Sequence, residues 1–394
     1  MRKGYVRMDK VRIGIIGVGN MGTSHIKTIT GGQVPELEVT AVADRQESRR
    51  QWCKDNLPDT IKVFGEGSEL IASGICDAVL IAVPHYQHPE LAIEAFHHGL
   101  HVLCEKPAGV YTKQVRLMND EAAKSDKVFA MMFNQRTNCV YRKMHEMVTE
   151  GKLGQIRRVN WIITDWYRTQ SYYDSGSWRA TWDGEGGGVL LNQCPHNLDL
   201  IQWICGMPVK VQAFCHEGKW HDIEVEDDVT AYLEYENGAT GVFITTTGDA
   251  PGTNRFEITG DLGKLVCENE KLTFYRLGQS ITEHCATCKA GFEKPEYEMI
   301  EVETDGKNEQ HAGVMKAFAG RILHDTPLVA GGEEGINGLM LSNAMHLSSW
   351  LGHPVTLPVD EDEFLKELNE RRAHSRKKEG SGVVFDTEGS YGSK

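Results

Sequence analysis

The chain has 394 residues, of which 40% are hydrophobic and 25% are charged, and its formal net charge is −14 at pH 7. This length predicts two or three domains, and the composition is typical of a globular protein. The negative charge argues against nucleic acid or an anionic membrane surface as a partner, because both would repel the chain. No apolar run approaches the ~20 residues that cross a bilayer, so we expect no membrane association.

The ten cysteines are irregularly spaced. Several lie in apolar, strand-like runs, where free cysteine behaves as a small hydrophobic residue, and this favours a reducing cytoplasm over a disulfide framework. Cys285 and Cys288 have the spacing of half a zinc site, but structural zinc needs four ligands and the sequence contains no second pair. We therefore expect no bound metal and interpret this pair as part of a solvent-facing loop.

Residues 11–16 are a β-branched run that predicts a buried parallel strand. The run ends in Gly17-Val18-Gly19-Asn20-Met21-Gly22, a helix-compatible segment follows, and a second predicted strand over 37–43 ends in Asp44. A strand, a glycine loop and a helix in this order, with an acid about 20 residues further on, predict a dinucleotide site. The predicted cofactor-binding residues of this loop are Gly17, Gly19, Asn20, Met21 and Gly22.

Asp44 and Arg45 bear on which dinucleotide binds. A carboxylate at position 44 would accept hydrogen bonds from the adenosine ribose and repel a 2′-phosphate, which favours NAD. The guanidinium of Arg45 could instead cover a 2′-phosphate, so NADP stays open as an alternative. We predict NAD, with both residues in contact with the cofactor.

The first third of the chain continues to alternate between strands and helices. Strands are predicted over 61–64, 77–83, 101–104 and 128–133, with helices near 46–56, 88–98 and 112–126. This alternation indicates βαβ units, and therefore a doubly wound parallel sheet in an α/β Rossmann domain over residues 9–136.

Polar residues follow three of these strands. Pro84 to His88 come after one strand, Glu105 and Lys106 after the next, and Asn134 to Arg136 after the third. Ligands of open parallel sheets bind at the carboxyl ends of the strands, so Lys106 is expected near the nicotinamide, and Pro107 restricts its backbone. The predicted cofactor contacts here are Pro84, His88, Glu105, Lys106, Asn134 and Gln135.

The pattern changes after a predicted helix at about 139–150. Seven strands joined by short turns are predicted over 155–164, 209–216, 229–236, 239–247, 255–260, 263–268 and 271–276. They indicate a large, mostly antiparallel open sheet in an α+β substrate and oligomerisation domain over 137–370. An exposed face of this sheet predicts a homo-oligomer, a dimer or higher. Residues 371–394 are polar and glycine-rich and predict a flexible tail, or an arm ordered on a partner subunit.

Residues 161–182 contain four of the eight tryptophans of the chain. Aromatic faces stack on the C–H faces of sugars, although the same residues could only pack a loop onto the sheet. We assign Tyr173, Trp178 and Arg179 to substrate binding.

The segment 185–203 contains a second group of chemically capable residues. Three consecutive glycines at 186–188 allow a close backbone approach, and the residues after them are helix-like. On a helix, Asn192, His196 and Asp199 would share one face, so both neighbours could set the tautomer of His196, although Pro195 would kink such a helix. A histidine packed in the core is the alternative.

The order of these motifs resembles the family of glucose–fructose oxidoreductase, inositol dehydrogenase and the rhizopine-catabolism proteins (Gfo/Idh/MocA). The resemblance rests on the glycine loop, Glu105-Lys106-Pro107, the triple glycine and His196-Asn197-Leu198-Asp199, and it covers residues 11 to about 204. In such enzymes the lysine of the E-K-P motif and the histidine of a D-x-G-x-H-x-x-D motif flank the substrate carbon. The resemblance therefore implies that Lys106 and His196 are the catalytic residues.

The sequence departs from that family motif at two positions. Asn192 stands where the family has its first aspartate, and Cys194 stands at its glycine. An amide can bind a substrate hydroxyl but cannot transfer a proton as a carboxylate does, so the proton chemistry falls to Lys106 and His196. Asn192 and Asp199 are then predicted to bind substrate. The Asn-Gln-Cys-Pro-His variant is similar to members that oxidise the 3-hydroxyl of glycosides.

Three functions follow from this resemblance. The first is NAD-dependent oxidation of a secondary hydroxyl of a sugar, glycoside or cyclic polyol, with C3 as one candidate carbon. The second is a redox-neutral glycosidase that uses transient C3 oxidation and elimination. The third is a non-catalytic nucleotide or sugar sensor, which ranks last because the chain keeps both Lys106 and His196.

Overall fold

The computed structural model describes residues 9–380, which form two compact units. Unit 1 contains residues 9–137 and 309–336, and unit 2 contains residues 138–308 and 337–380. The second domain was expected as one continuous stretch over 137–370. The chain instead leaves it at Glu309 and contributes 28 residues to unit 1.

The first part of unit 1 alternates strands with helices. In chain order they are β1 (Val11–Ile16), α1 (Asn20–Thr30), β2 (Leu37–Ala43), α2 (Glu47–Asn56), β3 (Lys62–Phe64), α3 (Gly67–Ala72), β4 (Ala78–Ile81), α4 (His88–His97), β5 (His101–Cys104), α5 (Thr112–Lys124) and β6 (Phe129–Met131).

The remaining elements start with α6, the first element of unit 2. They are α6 (Cys139–Thr149), β7 (Ile156–Ile163), α7 (Gln170–Asp174), α8 (Pro195–Cys205), β8 (Lys210–Glu217), β9 (Glu226–Glu234), β10 (Thr240–Thr246), β11 (Asn254–Gly260), β12 (Gly263–Glu268), β13 (Lys271–Leu277), α9 (Ile281–Thr287), β14 (Tyr297–Glu301), α10 (Gln310–His324), α11 (Gly335–Leu351), β15 (Val355–Thr356) and α12 (Glu361–Ala373). Of these, α10 belongs to unit 1, and α11 begins in unit 1 and continues into unit 2.

The sheet of unit 1 has six parallel strands in the order β3-β2-β1-β4-β5-β6. This is the predicted doubly wound α/β fold. The chain order reverses between β1 and β4, and ligands of such sheets bind at the carboxyl ends of the strands beside this reversal. The strands β4, β5 and β6 are neighbours, so the three polar segments that follow them lie along one edge of the sheet.

Helix α10 explains why the chain returns to unit 1. Its side chains Val314, Met315, Phe318 and Ala319 are buried in one cluster with residues of β1 and β2. The helix therefore completes the apolar core under the first two strands. Its sequence shows an apolar face but does not show which core that face covers.

The sheet of unit 2 has nine strands in the order β14-β13-β12-β11-β7-β10-β9-β8-β15. Only the β10–β7 pair is parallel among the strand pairs of this sheet, so the prediction of a mostly antiparallel sheet is confirmed. The turn at Asn237-Gly238 joins β9 to β10, with the Tyr235 N–H donating to the Ala239 carbonyl at 2.9 Å. The short strands β14 and β15 were not predicted.

Helix α8 begins at Pro195, later than the sequence suggested. Proline lacks the N–H that an interior helical position needs, and it is well suited to the first helical position. Asn192 therefore lies in the turns that precede α8, and the expectation that it shares a helical face with His196 is wrong.

The end of the described chain is ordered against unit 2. Helix α12 continues to Ala373, past the predicted boundary at residue 371, and Ser375 and Arg376 then donate hydrogen bonds to the carboxylate of Glu224. The Lys378 ammonium donates to the Tyr173 carbonyl at 2.6 Å. The rest of the predicted tail, 381–394, lies outside the described residues. Across residues 9–380, no helix combines the length and the apolar character needed to cross a membrane.

Candidate functional site

The glycine loop after β1 is shaped by close backbone contacts. Gly17 has φ +93°, and a Cβ there would lie 2.4 Å from the Ala82 carbonyl oxygen. A Cβ on Gly22 would lie 1.8 Å from the Gly17 oxygen, whereas a Cβ on Gly19 would meet nothing within 4 Å. Gly17 and Gly22 are therefore required by packing, and the surface above Gly19 is open. This arrangement fits the pyrophosphate of a dinucleotide, which approaches such a backbone at the start of a helix.

Asp44 lies against the glycine loop. Its Oδ2 accepts a hydrogen bond from the Val18 N–H at 2.8 Å, and its Oδ1 accepts one from the Gln46 N–H at 2.8 Å. The exposed Arg45 donates from Nε to Glu66 at 2.7 Å. The negative charge of Glu66 partly offsets the positive charge of Arg45, so Arg45 would attract a 2′-phosphate less strongly. This pairing favours NAD over NADP.

A buried hydrogen-bonded pair, His25 and Glu105, lies beside Lys106. The His25 Nε2 and Glu105 Oε1 atoms are 2.6 Å apart, and the Lys106 N–H donates to Glu105 Oε2 at 3.1 Å. Burial raises the pKa of Glu105, but the hydrogen bond from His25 and the charges of His25, His311 and Lys106 outweigh it and lower the pKa to about 2. Glu105 is therefore an anion beneath the backbone of Lys106. Sequence reasoning missed His25; the signal was a histidine beside Ile26 and Ile29 on the buried face of α1.

His311 and His88 also lie in the surroundings of Lys106 within unit 1. The His311 ring centroid is 5.3 Å from that of His25, and burial together with the charge of His25 lowers the pKa of His311 to about 4. The ring nitrogens of His88 lie 2.7 Å from the carbonyl oxygens of Pro107 and Val83. A neutral imidazole donates from only one of its nitrogens, but both nitrogens lie against backbone carbonyls of this unit. His88 therefore joins the segments after β4 and β5 and supports the loop that carries Lys106.

The residues after β6 are held by α10. Asn134 and Gln135 both donate side-chain hydrogen bonds to the Gln310 Oε1 atom, and Arg136 pairs with Glu334 at 2.7 Å. Asn134 is fully buried, whereas Gln135, Lys106 and Pro84 keep partial exposure. The structure therefore brings the three predicted strand ends together along one edge, with the accessible groups on Pro84, Lys106 and Gln135.

Unit 2 presents a second network around Asn192. Asn192 donates from Nδ2 to Glu185 Oε1, and Glu185 Oε2 accepts from the Ala180 N–H at 2.6 Å. Glu185 is only 2% exposed, and burial raises its pKa, with the nearby charge of Arg179 as the largest opposing influence. Sequence reasoning missed Glu185, although it is an acid set directly before three glycines in a segment that proved to be buried.

Aromatic and guanidinium groups stack beside this network. The Arg179 guanidinium lies 4.6 Å from the ring centroids of both Tyr172 and Trp178. The Tyr172 hydroxyl oxygen accepts hydrogen bonds from Arg179 at 3.0 Å and from Gln193 at 3.2 Å. Trp178 and Arg179 are thus in one cluster with Tyr172, whose O–H donates to Asn192 Oδ1 at 3.5 Å. Their assignment to substrate binding stays a prediction.

Tyr173 differs from its neighbour Tyr172. It is 2% exposed, and its hydroxyl pairs with Thr247 at 2.7 Å. Its ring packs against His221, with centroids 4.9 Å apart. Tyr173 therefore fastens the aromatic segment to the sheet, which is the packing role that the sequence left open as an alternative to substrate binding.

His196 and Asp199 are both buried in the first two turns of α8. Asp199 Oδ1 accepts a hydrogen bond from Gln202 at 3.1 Å. Gly338 of α11 approaches the Asp199 backbone closely, since a Cβ there would lie 3.2 Å from its nitrogen. The start of α8, which carries His196, is therefore fixed by packing from within unit 2.

Gly188, the last of the three consecutive glycines, approaches strand β9 closely. A Cβ on Gly188 would lie 2.0 Å from the Glu226 carbonyl oxygen, and the N–H groups of Gly188 and Leu190 donate to the Glu226 carboxylate at 2.9 and 3.0 Å. The His346 Nε2 atom lies 2.9 Å from this carboxylate. Buried Glu226 thus anchors the loop that leads to Asn192, and it too was missed from the sequence.

Comparison with known proteins agrees with this architecture. Residues 11–133 match the model of an oxidoreductase family with an NAD-binding Rossmann fold, and residues 141–266 match the GFO/IDH/MocA C-terminal domain. A myo-inositol 2-dehydrogenase of Thermotoga maritima is 26% identical over 85% of this chain and 95% of its own length. A D-glucoside 3-dehydrogenase of Escherichia coli is 28% identical over 60% of this chain and 70% of its own.

A solved structure also matches the fold of this chain. The WlbA dehydrogenase of Bordetella pertussis, in complex with NADH and UDP-GlcNAcA, superposes with a TM-score of 0.75 at 25% identity, covering 89% of this chain and 98% of that one. The two family models together span more than half of the chain. The chain therefore belongs to the Gfo/Idh/MocA family of NAD-binding oxidoreductases.

Proposed function

We propose that this protein oxidises a secondary hydroxyl group of a sugar, glycoside or cyclic polyol, with NAD as the cofactor and C3 of a glycoside as the candidate carbon. The relatives named for an inositol and for a glucoside support this substrate class. The single observation that carries the proposal is Lys106, which follows β5 at the binding edge of the NAD-type sheet and is backed by the anionic Glu105.

The residues of unit 1 would hold the cofactor. The backbone around Gly19 would receive the pyrophosphate, and Asp44 would accept hydrogen bonds from the adenosine ribose. Bound NAD⁺ supplies a hydride acceptor. Lys106 near a positively charged nicotinamide would lose some proton affinity through like-charge repulsion, which would bring its pKa toward the working pH.

Proton transfer would be the task of His196 and Lys106. We propose that His196, or Lys106 at a lowered pKa, takes the hydroxyl proton as a general base. Asn192 would bind a substrate hydroxyl through its amide, since an amide offers both a donor and an acceptor. The stacked side chains of Trp178 and Tyr172 would offer flat faces to the C–H groups of a sugar ring.

The experiment is a turnover assay with the purified protein and saturating NAD⁺. NADH absorbance is followed with free sugars, cyclic polyols and aryl glycosides. We expect NADH to accumulate with at least one of them, and the proposal fails if none is oxidised although the protein binds NAD. Release of a coloured aglycone without NADH accumulation would indicate the redox-neutral glycosidase route instead.

A further inference from the structure

Glu185 is a buried carboxyl group with two defined hydrogen-bond partners in unit 2. The Ala180 N–H donates to Oε2 at 2.6 Å, and the Asn192 amide donates to Oε1. Both hydrogen bonds run toward the carboxyl oxygens, one from a backbone N–H and one from the side-chain NH₂ group of Asn192. The Nδ2 group of Asn192 is therefore directed at Glu185.

Tyr172 lies on the carbonyl side of the Asn192 amide. The Tyr172 oxygen accepts hydrogen bonds from Arg179 and Gln193, and its own O–H donates to Asn192 Oδ1 at 3.5 Å. Glu185 is buried, whereas Asn192 and Tyr172 keep partial exposure. Because Nδ2 is directed at the buried Glu185, the carbonyl oxygen is the amide atom that is turned away from Glu185 and toward Tyr172.

We propose that Glu185 is a positioning residue for carbohydrate binding, which fixes the Asn192 amide so that its carbonyl oxygen accepts a hydrogen bond from a substrate hydroxyl. This inference rests on the proposed function, because it requires a hydroxyl-bearing substrate. Glu185 itself does not contact the substrate. Glu185 therefore affects the affinity for the substrate and not the rate of the chemical step.

The variant Glu185→Gln tests the orientation of the amide. The Ala180 N–H still requires an oxygen, so the new NH₂ group is directed at Asn192. Asn192 must then turn its amide over to offer an oxygen to position 185, and an NH₂ group replaces the carbonyl oxygen on the side turned away from position 185. We expect the KM for the carbohydrate to rise about tenfold or more, while the KM for NAD changes less than about twofold.

The double variant Glu185→Gln/Asn192→Asp restores the wild-type arrangement, in which residue 192 presents an acceptor on the side turned away from position 185. The new aspartate accepts from the new glutamine with one oxygen and presents the other as an acceptor on that side. We expect the carbohydrate KM to return to within about threefold of the wild-type value. Asp183→Asn, which changes an exposed acid two residues before Glu185, is the matched control and should leave both KM values unchanged.

The single variant Asn192→Asp adds a test by pH dependence. A purely structural role of Glu185 would not produce this dependence. Two adjacent carboxyl groups share one proton, so the substrate KM should rise with pH as that proton is lost, and the double variant should lack this dependence. Comparing the pH profiles of Asn192→Asp and the double variant also tests the inference if Glu185→Gln alone does not fold.

The outcomes separate the inference from the proposed function. A wild-type protein that oxidises no carbohydrate overturns the proposed function, and the inference falls with it. An active wild type overturns the inference alone in three cases: if Glu185→Gln keeps the wild-type KM, if the folded double variant is as poor as Glu185→Gln, or if Asn192→Asp and the double variant share one pH profile.

Discussion

The backbone N–H of Val18, in the glycine loop, donates a hydrogen bond to the side chain of Asp44 at the end of β2, with 2.8 Å between N and Oδ2. Asp44 thus supports the loop from within the protein and, by the proposal, binds the adenosine ribose. Asp44→Ala removes both interactions, so we expect the KM for NAD to rise about tenfold to a hundredfold. Loss of the negative charge should also improve the use of NADP relative to NAD.

Steady-state kinetics with both cofactors measures this effect. Asp55→Ala, at an exposed position on α2, is the matched control and should behave as the wild type. An unchanged KM for NAD in Asp44→Ala would show that the ribose is bound elsewhere.

The glycines of the loop make a second, contrasting prediction. A Cβ on Gly22 would collide with the Gly17 carbonyl oxygen at 1.8 Å, so Gly22→Ala should lower the melting temperature clearly. A Cβ on Gly19 meets nothing within 4 Å, so Gly19→Ala should melt as the wild type does but bind NAD more weakly, because the methyl group occupies the surface offered to the pyrophosphate. Thermal unfolding and NAD titration of the two variants check this. Equal NAD affinity for Gly19→Ala and the wild type would argue against that surface.

The catalytic assignment predicts large losses of turnover. We expect Lys106→Ala and His196→Ala each to lower kcat about a hundredfold or more, since a positioned general base contributes that much. Lys54→Ala and His98→Ala, at exposed positions, are controls of the same residue types. Near wild-type turnover in either Lys106→Ala or His196→Ala would remove that residue from the chemistry.

Unit 1 was largely predictable because its strands are buried on both faces. Such strands consist of continuous β-branched and apolar runs, and β1, β2 and β5 have the predicted bounds. Helix α10 could not be assigned, since an amphipathic pattern shows that a face is buried but not against which sheet.

The candidate site was harder to predict for a geometric reason. Tyr172 and Tyr173 are adjacent on the five-residue helix α7, yet one remains accessible and the other is buried. A helix this short has no periodicity from which to choose between them. The role that we propose for Glu185 depends on how the turns after it bring Asn192 back to it, which no local pattern encodes.

The pKa of His101 gives a prediction about stability and pH. Burial, reinforced by the charge of Lys127, lowers the pKa of His101 to about 4, and the His101 Nδ1 atom accepts a hydrogen bond from the Val128 N–H at 2.8 Å. Between pH 6.5 and 4 the unfolded chain binds a proton at this position and the folded chain does not. Stability must therefore fall as the pH is lowered through that window.

His101→Asn should weaken this dependence, because its side-chain oxygen can accept the same hydrogen bond without titrating. We expect the loss of unfolding free energy between pH 7 and 5 to be smaller than in the wild type by roughly 1 kcal/mol, after allowance for the partial exposure of the ring. Urea unfolding at both pH values measures it. An identical loss in the variant and the wild type would contradict the assignment.

The transfer of an isotope label tests the central claim most directly. The protein is incubated with NAD⁺ and a glycoside deuterated at C3, and the reduced cofactor is analysed by mass spectrometry. We predict deuterium in the reduced cofactor with the wild type and a strongly reduced yield with His196→Ala. Reduced cofactor without deuterium would contradict oxidation at C3, and the absence of reduced cofactor with every carbohydrate and polyol tested would contradict the proposed function itself.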